Sequence, residues 1–155
     1  MGTDLGKSRR WAAFTALGLG FIGMLISVSG ASLFFIDQLQ IQGPSIWPLP
    51  ALVLIDWAVL GFLGFFGAYF GARPSFTYWS RVAWFVVGAL LPLVILGAFS
   101  IGTFVLISLP FFLVSAFLIT RRQGLKWSNS VGLLMLGVVS NLALVFIFID
   151  LGSLH

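Results

Sequence analysis

One carboxylate, Asp56, lies six residues into an apolar run from Ala51 to Ala72 that holds no other charged side chain. An acid about 7 to 8 Å below the end of a helix costs free energy. Such a residue is a candidate proton- or cation-binding site. The bland alternative needs no ligand: Asp56 reaches water at the interface, or it is satisfied by Ser29 and Ser32, which an antiparallel preceding helix places at similar depth. Asn141, beside Ser140 in the last apolar run, is expected to hydrogen-bond to another helix rather than to a ligand. Its expected depth differs from that of Asp56 by about four residues, or about 6 Å, so a direct pair requires tilt.

Beyond these residues the inventory of reactive groups is short. The chain has no Cys and no Glu, and its one His is terminal, at position 155. No Ser–His pair, zinc site, haem-type histidine pair or intramembrane aspartate dyad can be assembled from this set. No phosphate-binding G-x-x-x-x-G-K-[ST] loop is present either. The expectation is a chain that is not an enzyme, with no metal and no cofactor.

The elements that must position Asp56 follow from composition. With 60% hydrophobic and 8% charged residues among 155, the chain departs far from a soluble balance. It reads as one all-α membrane domain over 1–155, in a prokaryotic plasma membrane by default. Its expected spans are 11–36, 51–72, 82–100, 102–120 and 131–150. The first run follows Lys7, Arg9 and Arg10 as a signal peptide would, but it is much longer than a signal core and is expected to stay as a helix. The segment from Asp37 to Pro50, with Gly43, Pro44 and Pro48, is expected to be irregular, with Ile46 and Trp47 resting on the membrane surface.

The apolar stretch from Val82 to Thr120 would be about 58 Å long as one helix, twice the hydrocarbon thickness. Ser100-Ile101-Gly102-Thr103 offers the break that makes it two. Charge supports that division. With five spans every Lys and Arg falls on one side, whereas four spans would put Arg121, Arg122 and Lys126 on the other, against the bias of short loops for cytoplasmic cations. The expected topology is therefore a five-helix transmembrane bundle with its N-terminus inside and its C-terminus outside. The same topology brings Trp11, Trp79, Trp84 and Trp127 near the inner boundary and Trp47 and Trp57 near the outer one. It also explains the net charge of +4 without nucleic acid as a partner.

Small residues recur at helical spacing: Gly23, Ser27 and Ala31 in the first span, and Gly64, Gly67 and Gly71 in the second. They let helices approach closely, within one chain or between chains. Pro92 and Pro110 are candidate kinks in the third and fourth spans. The third span offers no polar path away from Asp56, so the first functional expectation is a non-catalytic accessory or scaffold subunit of a membrane complex. Its partners would be the lipid bilayer and other membrane subunits, or further copies of the chain. The alternative is a small transporter or channel component that uses Asp56. A third is a lipid-binding protein that uses Arg121, Arg122 and Lys126.

Overall fold

Leu, Ile, Val, Phe and Ala dominate long runs of the sequence, and in the computed structural model these runs form five helices. The structure describes residues 3–43, 49–73, 75–76, 78–97, 102–124 and 127–153. These form α1 (Thr3–Gln42), α2 (Leu49–Gly71), α3 (Trp79–Leu96), α4 (Gly102–Gln123) and α5 (Trp127–Ser153). All five are long and apolar enough to cross a membrane.

Helix ends differ from expectation where polarity and helix propensity disagree. α1 continues through Asp37–Gln42 instead of stopping at Ile36, because that segment is polar but contains no breaker. It ends where Gly43 turns left-handed, at φ +56°, just before Pro44. α4 likewise runs past Thr120 to Gln123 and ends at Gly124, φ +65°. α5 starts at Trp127 rather than 131, and α3 starts at Trp79 rather than 82. α3 ends at Leu96, short of the expected 100, where the Gly97 N–H donates to the Leu93 carbonyl at 2.9 Å. The expected break at 100–103 falls mostly on residues outside those described; α4 begins within it at Gly102. Ile46, Trp47, Lys126 and His155 also lie outside the described residues.

The first four helices alternate in direction and close a ring: α1 packs on α2 and α4, and α3 packs on α2 and α4. Trp57, Leu90, Leu93, Val86, Val105 and Phe112 fill its centre. α5 stands outside this ring, packed along α3 with a smaller contact to α2, and its backbone does not pack along α4. It buries the smallest share of its length among the five. One end of the bundle gathers Arg73, Arg81, Arg121 and Arg122 and is here called the basic end; Pro50, Leu96 and Asp150 lie at the opposite end.

The small residues of α1 and α2 serve packing inside the chain. A Cβ at Gly61 would stand 2.7 Å from the Cβ of Ser27, and one at Gly20 would stand 2.6 Å from that of Ala68. Gly23 and Gly64 receive the ring of Phe112, Gly67 receives Ala83 and Gly71 receives Ile119, while Ser27 and Ala31 are buried. Two glycines that the small-residue spacing did not mark make the closest approach of all. Gly88 of α3 lies against the Leu134 carbonyl, and Gly137 of α5 lies against the Phe85 carbonyl, so a side chain at either would overlap backbone. Two of the tryptophans are packed within the bundle. Trp57 is fully buried over Gly30, and Trp84 donates to the Thr120 hydroxyl at 2.7 Å.

Both prolines lie within continuous helix. Pro92 deprives the Gly88 carbonyl of its usual donor, at the same crossing where α3 meets α5. Pro92 is buried and Pro110 is exposed, so the two do not line a common site.

Candidate functional site

Asp56 projects from the second turn of α2 toward α5, where it meets Asn141. The Asn141 Nδ2 donates to Asp56 Oδ2 at 2.7 Å. The register offset expected between them is absorbed because α5 is longer at the end opposite the basic one: from Asn141 it continues twelve residues to Ser153, whereas only seven residues separate Leu49 from Asp56. α5 therefore extends past the start of α2, and its middle meets the upper part of α2. Depth counted from each helix end could not show this, since it assumed that both helices end at one plane.

The two serines offered as partners do not join the site. Ser29 and Ser32 are both exposed on α1, and the face of α1 that meets α2 is instead Ser27, Gly30 and Ala31. Asp56 itself is half-buried, and Asn141 is buried. The pair is rich in acceptors and poor in donors. Asn141 gives one of its two amide N–H groups to the carboxylate, while its buried Oδ1 has no hydrogen-bond partner among the described residues. The carboxylate, which when ionised accepts only, receives that one hydrogen bond and no cationic side chain among the described residues. A ligand that fits this pair brings positive charge and protons to donate.

A cavity of about 390 Å³ opens at the end opposite the basic one, between α1, α2, α3 and α5. Val53, Leu54, Leu93 and Val145 are among its apolar lining residues, and Gln38 is polar. Val53 precedes Asp56 by three residues and Val145 follows Asn141 by four, so the cavity begins one helical turn from the pair. Its size falls in the range of small-ligand pockets. Apolar side chains gave no sequence signal for it, because the space arises only where the ends of four helices come together.

Toward the basic end α4 caps the end of α2. Arg122 donates to the Ala72 carbonyl, and the Gln123 Nε2 donates to the Gly71 carbonyl at 2.8 Å, which caps the last carbonyls of α2. Ser115 of α4 donates to the Ala16 carbonyl of α1 at 2.8 Å. Three further buried polar atoms, Ser27 Oγ, Trp57 Nε1 and Gln123 Oε1, lack partners among the described residues. No group of three His, Cys, Asp or Glu occurs among the described residues. Compared with family models, curated proteins and solved structures, the chain matches none.

Proposed function

We propose that the chain is an integral membrane protein with five spans, its basic end in the cytoplasm, and that it works as a small transporter or channel component in which Asp56 and Asn141 bind a proton or a cation. Five helices of sufficient length and apolarity support the membrane placement, and the clustering of Arg73, Arg81, Arg121 and Arg122 at one end supports the orientation. The observation that carries the binding role is the acceptor surplus: a half-buried carboxylate beside an Asn141 Oδ1 that no donor satisfies. Carboxylates held inside membrane spans are commonly parts of ion or proton paths. The cavity one turn away supplies the approach from the external side that apolar sequence runs could not reveal.

The test is uptake of protons, sodium and methylammonium into vesicles that hold the purified chain. Wild type is expected to take up at least one of them. Asp56→Asn, which keeps size and hydrogen bonding but removes the charge, is expected to lose about tenfold or more of that flux, and Asp56→Glu to retain part of it. An Asp56→Asn protein that elutes and melts like wild type yet transports as well removes the proposal.

A second reading, an accessory subunit of a larger membrane complex, is favoured by α5, which buries the smallest share of its length and exposes Val139, Phe146 and Ile147. It predicts other polypeptides in fixed ratio after purification in mild detergent. A lone monodisperse chain with full biological effect would sink it.

A further inference from the structure

α4 and α5 are consecutive in sequence, yet their backbones do not pack along one another, because the glycine crossing draws α5 onto α3. They meet through Trp127 of α5, whose ring lies 5.4 Å from Phe117 of α4 and 6.0 Å from Trp84 of α3. Above that contact a cleft runs between the two helices. On α4 the i, i+4 stripe that holds Phe117 continues to Leu113, and on α5 the stripe that holds Trp127 continues to Val131 and Met135; all of these are exposed.

At the basic end the cleft widens to a cavity of about 410 Å³ lined by Phe117, Thr120, Arg121, Gly124 and Trp127. Adjacent arginines there have different roles. Arg122 turns inward to cap α2 at the Ala72 carbonyl, while Arg121 is exposed on the cavity and has no hydrogen bond or ion pair among the described residues. The buried Thr120 hydroxyl accepts from Trp84 and keeps its own proton to donate.

We propose that this cavity and cleft bind one anionic glycerophospholipid of the cytoplasmic leaflet, with its phosphate on Arg121 and an acyl chain along Phe117, Leu113 and Val131. Charge complementarity selects the headgroup. The apolar walls select a lipid over a free anion. From Arg121 to Leu113 the cleft spans about 12 Å, within the roughly 15 Å of one leaflet's hydrocarbon. A neighbouring helix is a poorer occupant, since it would leave the Arg121 guanidinium without a counter-charge. The inference rests on the membrane placement proposed above and is independent of Asp56.

The experiment is native mass spectrometry of the full chain in detergent, titrated with phosphatidylglycerol, phosphatidylcholine or inorganic phosphate. Wild type is expected to retain one phosphatidylglycerol about fivefold or more tightly than phosphatidylcholine. Arg121→Gln is expected to abolish that preference and Arg121→Lys to keep part of it. Arg81→Gln, which removes an exposed charge at the same end, is expected to leave the preference intact, as is Asp56→Asn. Equal losses in Arg121→Gln and Arg81→Gln would reduce the effect to general electrostatics and overturn the site. Equal retention of phosphatidylcholine, or displacement of the lipid by inorganic phosphate at matched concentration, would overturn it too. Release of the chain from membranes by alkaline washing would overturn the membrane placement itself, a failure distinct from the others.

Discussion

Apart from the ring contact of Trp127 with Phe117, α5 packs on the other helices along two seams that differ in kind. Against α3 it is fitted sterically, with Gly88 and Gly137 bringing backbone onto backbone. Against α2 it makes the smaller contact, and there it carries a hydrogen bond between Asn141 and Asp56. The first seam is fixed by shape at Gly88 and Gly137. The second is the smaller contact, and it holds the one carboxylate inside the span of α2.

That contrast can be broken first at the glycines. Gly88→Leu and Gly137→Leu each force a side chain into a neighbouring carbonyl, and each is expected to destabilise the protein by about 3 kcal/mol or more. Thermal unfolding in detergent reads this directly. If either variant melts like wild type, the steric seam is not what holds α5.

The polar seam should respond far less. Asn141→Ala is expected to cost about 1 kcal/mol in the same assay, and a double-mutant cycle with Asp56→Asn should give a coupling of similar size. A loss near that of Gly88→Leu would make the pair a structural clasp and weaken its assignment as a binding site. Transport should rank the variants in the opposite order, with Asp56→Asn impaired most among those that fold.

The smallest effects should appear at the basic end. Arg122→Gln removes one donor to the final carbonyls of α2 and is expected to cost about 0.5 to 1 kcal/mol, with cation uptake unchanged. Trp84→Phe, which deletes the bond to Thr120 while keeping a ring in place, should cost about 1 kcal/mol. Measured uptake below half of wild type in a stably folded Arg122→Gln protein would show that the basic end takes part in transport.

Much of the fold was legible because it depends on composition over long windows. Apolar runs of sufficient length, separated at the segment from Asp37 to Pro50 and at the break Ser100–Thr103 among others, implied five helices, and the division of the run from 82 to 120 followed from length and charge. The helix ends were read less well at Asp37–Gln42 and at Trp127, where polarity suggested a loop but backbone propensity carried the helix on. The site was half legible. Asp56 stood out as the one charge inside a span, and Asn141 as a polar group seeking another helix. Their pairing was not readable, nor was the failure of Ser29 and Ser32 to reach the carboxylate, because each depends on how a helix is rotated and shifted along its axis.

Sequence alone thus determined that the chain forms helices, how many there are and which end collects the arginines, since local propensity, solvent preference and charge act on short stretches of chain. Only the tertiary structure decided that α5 lies outside a four-helix ring, that Gly88 and Gly137 set its position, and that Arg121 and Arg122 face different surroundings. Those outcomes depend on which faces fit together. Apolar faces of similar composition are nearly interchangeable in sequence and become distinct only when their shapes meet at van der Waals distance.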